Sequence, residues 1–193
     1  ENTVTAFAEA PDGAIWIGTF GGGLNRLDRE TDTFRTYRHD PDDGTTISSD
    51  RVMALYADSD GGLWAGTRSS GLSYYDPDSQ VFRSYANDPD DPASLSANGV
   101  TSILRDSNGT LWVGTFGGGL NRLDERTGQF ERFRSDPEDS NAISSDRVLV
   151  LFEDSSGELW IGTYGGGLNR LDGGTGGFQR YPGEPGRPDG LSG

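Results

Sequence analysis

The stretch Asp154-Ser-Ser-Gly-Glu-Leu-Trp-Ile-Gly-Thr-Tyr-Gly-Gly-Gly-Leu-Asn-Arg-Leu-Asp172 decides the fold. It holds two short β-prone runs, one ending at Thr163 and one at Asp172, separated by three glycines and preceded by a Ser156-Gly157 turn. The same pattern surrounds each of Trp16, Trp64, Trp112 and Trp160, which are 64 − 16 = 112 − 64 = 160 − 112 = 48 residues apart. Since 193 = 4 × 48 + 1, the chain is four ungapped copies of one unit with one residue over. Val4, Gly13, Trp16, Gly18, Thr19, Gly23, Leu24, Asp28, Phe34, Pro41 and Ser48 recur unchanged in every copy.

Each unit divides the same way. A first run, Val4 to Ala8, leads through Pro11-Asp12-Gly13 into a second, Ile15 to Thr19. The equivalents of that turn, Asp60-Gly61, Asn108-Gly109 and Ser156-Gly157, provide the positive φ that tight hairpins need. A glycine loop precedes the third run, Leu24 to Asp28, and a polar turn precedes the fourth, Phe34 to Arg38. His39 to Asp50, rich in Asp, Pro, Gly, Thr and Ser, is the connection to the next unit. No helix-length apolar stripe interrupts the pattern.

One four-stranded sheet of this size cannot bury both faces, and stacking sheet on sheet solves that problem. The expectation is an all-β chain, a β-propeller or propeller segment of four 48-residue, four-stranded antiparallel blades at about 1–48, 49–96, 97–144 and 145–193. The invariant Trp is expected between neighbouring blades. Three closures stay open: a lone four-bladed ring, two chains forming one eight-bladed ring, or an excerpt of a longer propeller. A homo-oligomer or further blades of a longer chain is favoured over the lone ring.

Composition excludes several chemistries. There is no Cys and one His, so disulfides, thiolate nucleophiles, Cys zinc sites and multi-histidine metal sites are ruled out. All 16 basic residues are Arg, which excludes a lysine Schiff base. A formal charge of 16 − 31 = −15 argues against nucleic acid and anionic membranes as partners. The longest strongly apolar stretch, Val148 to Phe152, is far too short for a membrane span, so no direct membrane insertion is expected.

The strings Asp58-Ser-Asp-Gly-Gly-Leu-Trp-Ala-Gly-Thr67, Asp106-Ser-Asn-Gly-Thr-Leu-Trp-Val-Gly-Thr115 and Asp154-Ser-Ser-Gly-Glu-Leu-Trp-Ile-Gly-Thr163 resemble the two-component regulator propeller repeat. The Gly-Leu-Asn-Arg-Leu-Asp that follows Trp-x-Gly-Thr in that family stands here at residues 167 to 172. The resemblance covers all four units. It implies a bladed propeller of the kind found in extracytoplasmic sensor regions of bacterial hybrid histidine kinases, hence a periplasmic or extracellular location, with sensing of polysaccharide fragments in several relatives. Nothing in this chain resembles a kinase, a receiver or a membrane anchor, and sensors of that family typically carry many more blades.

Several motifs read as architecture. Asp28, Asp76, Asp124 and Asp172 cap turns in preference to forming acid–base pairs. Thr19 and its equivalents are expected to make structural bonds. The glycine loops precede strands and lack a P-loop Lys, so they are not phosphate cradles. The acidic connections at Asp40-Pro-Asp-Asp43, Asp88-Pro-Asp-Asp91 and Asp136-Pro-Glu-Asp139 lack the ligand order of an EF-hand. No metal or cofactor is expected.

Propellers usually bind at the channel mouth. The loop between second and third strands places Phe20, Arg68, Phe116 and Tyr164 at equivalent positions there. They are the candidate ligand-binding residues: rings to stack on a sugar and a guanidinium to hold a carboxylate, with packing against the neighbouring blade as the competing role. The second unit breaks the repeat, with Arg68-Ser69-Ser70 for aromatic-Gly-Gly and Ser73-Tyr74-Tyr75 for Asn-Arg-Leu. The expected function is non-enzymatic binding of an oligosaccharide, another small ligand or a partner. A structural, self-assembling repeat module stands second, and a propeller lyase or hydrolase third.

Overall fold

The computed structural model describes residues 3–183, so residues 184–193 of the fourth unit lie outside the described residues. The first sheet comprises β1 (Val4–Glu9), β2 (Ile15–Thr19), β3 (Leu24–Asp28) and β4 (Thr33–Tyr37). The second comprises β5 (Val52–Ala57), β6 (Leu63–Thr67), β7 (Leu72–Asp76) and β8 (Val81–Tyr85). The third comprises β9 (Val100–Arg105), β10 (Leu111–Thr115), β11 (Gly119–Asp124) and β12 (Gln129–Phe133). The fourth comprises β13 (Val148–Glu153), β14 (Leu159–Thr163), β15 (Gly167–Leu171) and β16 (Phe178–Tyr181). Every sheet is an antiparallel meander in chain order, the topology of a propeller blade.

The blades pack through their first strands, β1 on β5, β5 on β9 and β9 on β13. Three buried clusters result, one at each blade-to-blade junction. The first takes Trp16 and Leu24 from one blade and Val52, Leu63 and Phe82 from the next. The Gly of Trp-x-Gly-Thr allows this approach: a Cβ on Gly18, Gly66 or Gly114 would come within 2.7, 2.4 and 2.6 Å of a methyl of Val52, Val100 and Val148. The repeat thus pairs a glycine hole on each second strand with a valine knob on the next blade's first strand.

Aromatic contacts repeat too. Within blades, Trp16 meets Tyr37, Trp64 meets Tyr85 and Trp112 meets Phe133. Across junctions, Tyr37–Phe82, Tyr85–Phe130 and Phe133–Phe178 meet edge to face at 5.7, 5.8 and 5.7 Å. Among the described residues no comparable packing joins β13 back to β1, so the described blade series is open.

Hydrogen bonds explain the polar invariants. Thr19, Thr67, Thr115 and Thr163 donate their hydroxyls to the carbonyls of Gly23, Gly71, Gly119 and Gly167. Gly23 has φ of 74° and a Cβ there would collide with the Tyr37 carbonyl, so only glycine fits. The connections seat on the following blade, where Ser96 and Ser144 amides donate to the side-chain oxygens of Asn121 and Asn169.

Candidate functional site

The four candidate residues follow the second strand of each blade, at one end of the inner strands. Their amides are pinned alike: Phe20 donates to Thr3, Arg68 to Arg51, Phe116 to Gly99 and Tyr164 to Arg147. This register brings the side chains of neighbouring blades together. The Arg68 guanidinium lies 5.5 Å from the Phe20 ring centre, and Phe116 and Tyr164 are 6.4 Å apart. Phe116 and Tyr164 are exposed and Phe20 is half-buried, so the row presents aromatic faces to solvent.

Two arginines and a glycine complete the row. Arg147 lies between rings, 5.5 Å from Phe116 and 5.6 Å from Tyr164, and Arg51 lies 5.6 Å from Phe20. At the equivalent place in the third blade stands Gly99. Gly99 has no side chain to fill the space that Arg51 and Arg147 occupy at their own junctions. The missing side chain leaves a cleft of about 480 Å³ between the second and third blades, lined by Met53, Arg68, Ser69, Asn98, Gly99 and Phe116 among others. Among the described residues, no carboxylate or imidazole lines it. The signal for Arg51, Gly99 and Arg147 was present in the repeat register, as an Arg/Gly/Arg series just before three first strands, but only the folded stacking gives it meaning.

The second blade's other departures belong to the core. Ser73 is fully buried and its hydroxyl takes the place of the Asn amide, accepting from the Ser48 amide. Tyr75 is buried against Trp16. Tyr74 packs 4.6 Å from Trp64, and burial pushes its phenol up to about 12.

The remaining polar motifs are spent on turns. Backbone amides of Glu30 and Thr31 hold the Asp28 carboxyl below the usual carboxylate range. Amides and hydroxyls at the following turns do the same for Asp76, Asp124 and Asp172. Gly21 and Gly23 give their amides to the Asp50 carbonyl, which removes them as phosphate donors. In the acidic connections, Asp40, Asp43, Asp88, Asp91, Asp136 and Asp139 each accept from a nearby amide of their own turn. His39 clamps its connection, with Nδ1 2.9 Å from the Ile47 carbonyl and its amide on Asp50.

Four-stranded antiparallel blades packed on one another through their first strands define a β-propeller array. The family model of the two component regulator propeller matches residues 1–21, 46–69, 94–117 and 142–165, and the chain belongs to that family. Among solved structures, it is similar to the extracellular domain of BT3049 from B. thetaiotaomicron, named as a hybrid two component system. That match has 28% identity, a TM-score of 0.80, and covers 94% of this chain and 25% of the other. It is also similar to the extracellular domain of BT4673 from the same organism, named as a one component system, at 21% identity, TM-score 0.76, 96% of this chain and 25% of the other. Virginiamycin B lyase from Staphylococcus aureus shares the fold at 17% identity and TM-score 0.70, over 97% of this chain and 58% of the lyase. The chain spans a quarter of the length of the two extracellular domains. No curated protein matches it.

Proposed function

We propose that this chain is a non-enzymatic ligand-binding propeller segment of an extracytoplasmic sensor, taking its ligand in the cleft between Arg68 and Phe116. The observation that carries the reading is the paired break in the repeat, Arg68 with Gly99, which leaves an exposed aromatic face beside a guanidinium. A sugar ring or other flat ligand would stack on Phe116, and a carboxylate on it would meet Arg68, with Ser69 and Asn98 available for hydroxyls. The absence of a general acid or base from the cleft lining supports binding over turnover. Membership of a family named for two component regulators, and likeness to an extracellular domain of such a system, support the sensor role and an extracytoplasmic location.

Isothermal titration with a panel of neutral and uronate-bearing oligosaccharides tests this. A binder is expected whose affinity falls about tenfold or more in Arg68→Ala and in Phe116→Ala, the scale of one lost charge-assisted bond or stacking contact. Gly99→Arg, which refills the cleft, should abolish binding. Affinity indifferent to all three substitutions would refute the site.

A further inference from the structure

The junction between the first and second blades differs from the next one at three neighbouring places. At the later junction Asp58 accepts from the Trp64 indole N–H at 2.8 Å and from the Arg105 guanidinium at 2.6 and 2.8 Å, and Arg105 also pairs with Glu125. One repeat earlier these three residues are Ala10, Ala57 and Pro77. Both carboxylates and the guanidinium are gone, yet the indole that they serve remains. Trp16 is 1% exposed, and its N–H has no acceptor among the described residues.

A cleft of about 440 Å³ stands in their place, within the size range of small-molecule sites, about 300–1,000 Å³. Both walls are blades of this chain, with Trp16, Arg26, Arg35 and Tyr37 on one side and Tyr75 and Gln80 on the other. It lies by the turn before β2, whereas the loop row of Phe20 and Arg68 follows β2 and β6. Arg26 lies over the Trp16 ring, 5.7 Å from its centre, and pairs with Asp12. Arg35 lies 4.8 Å from the centre of the Tyr37 ring and donates to the neutral Gln80 side chain at 3.3 Å. Asp12 and Asp60 also border the cleft, each accepting from an amide of its own turn. Two arginines against two aspartates leave these charges balanced, so a ligand with one negative charge is favoured over a phosphate dianion.

We propose that this cleft binds a small monocarboxylate with a flat apolar body, of the aryl carboxylate class, whose carboxylate takes the place of the side chain missing at Ala10. One oxygen accepts from Trp16 Nε1, as Asp58, Asp106 and Asp154 accept from their own tryptophans. Arg26 supplies the charge that Arg105 gives to Asp58. Because the indole N–H is buried, the half-buried Arg26 side chain swings outwards from the ring as the carboxylate enters, and its guanidinium then bridges Asp12 and the ligand. The body of the ligand lies against Tyr37 and Tyr75, whose rings are 5.5 Å apart. No residue of the loop row takes part, so this site and the sensor cleft stand or fall separately.

Proton–nitrogen NMR of the indole groups in the 193-residue chain tests the proposal, with sodium benzoate as the probe and sodium chloride and neutral benzyl alcohol as controls. Benzoate should move the Trp16 indole proton downfield and slow its exchange in a saturable way. The indole protons of Trp64, Trp112 and Trp160, already bonded to carboxylates, should stay in place. Ala10→Asp should shift the Trp16 proton downfield without benzoate and weaken benzoate binding about tenfold or more. Arg26→Gln should weaken it by a similar factor, the scale of one charge-assisted bond. Benzoate should raise the Tm of the parent chain and leave that of the Ala10→Asp variant unchanged. Arg68→Ala should alter none of these responses, which separates failure of this site from failure of the sensor cleft. A Trp16 proton that ignores benzoate, one that moves equally with chloride or benzyl alcohol, or a benzoate affinity that Ala10→Asp and Arg26→Gln leave intact would each overturn the proposal.

Discussion

Replacing Ala10 by Asp should stabilise the first blade. In the other three blades an Asp at this position accepts from the indole of the blade's Trp, with Trp64, Trp112 and Trp160 Nε1 each 2.8 Å from Asp58, Asp106 and Asp154. Trp16 has Ala10 instead, and its Nε1 is buried with no partner. A buried unsatisfied donor costs about 1–3 kcal/mol and a charge-assisted bond returns about 1.5–3 kcal/mol, from which carboxylate desolvation must be subtracted. The site accepts a carboxylate: Asp58 is as buried as Ala10, both at 6% exposure, and Ala10 borders a cleft of about 440 Å³ that also contains Arg26. A net gain of about 1–2 kcal/mol follows, or about 2–8 °C in Tm for a chain of this size. Urea and thermal unfolding followed by tryptophan fluorescence would measure it, with slowed exchange of the Trp16 indole proton as the local readout. The reverse change, Asp106→Ala, orphans Trp112 and should cost a similar amount. If Ala10→Asp is neutral or destabilising while Asp106→Ala costs nothing, the indole–carboxylate bond is not a stabilising part of the repeat.

Two other outcomes are expected. Gly114→Ala puts a Cβ 2.6 Å from a Val148 methyl and should cost about 1–3 kcal/mol; in a double-mutant cycle Val148→Ala should recover part of that, and additive costs would refute the knob-and-hole junction. Acid titration should show the turn carboxylates at work: Asp28, Asp76, Asp124 and Asp172 are held below the ordinary value of 3.8. Their contribution is therefore full above about pH 4 and is lost as pH falls through the lowered values, so the Asp124→Asn variant should differ from the parent in stability at pH 7 and converge with it in strong acid.

Much of the fold was legible because repetition multiplies weak signals. A single unit offers four ambiguous apolar runs, whereas four copies in exact register separate residues that serve every blade from those that serve one. The third-strand range Leu24–Asp28 was read correctly, while the fourth began one residue earlier than expected, at Thr33, because pairing with Asp28 extends the ladder past the apolar run. At the site, Phe20, Arg68, Phe116 and Tyr164 were visible as equivalents, but not their spacing or the stacking of Arg51 and Arg147 between them. Those depend on side chains from different blades, 31 residues apart for Phe20–Arg51 and Phe116–Arg147.

The sequence by itself determined the blade: its period, its four strands, its glycine and threonine turn chemistry and its family, all of which rest on interactions between residues near in the chain. Only the tertiary structure decided what the breaks in the repeat mean. Ser73 and Tyr75 proved to be core substitutions, Arg68 with Gly99 opened a cleft, and the Trp16 indole N–H was left without an acceptor. The first two outcomes are set by packing across a blade junction, where a residue's neighbours come from the next repeat unit.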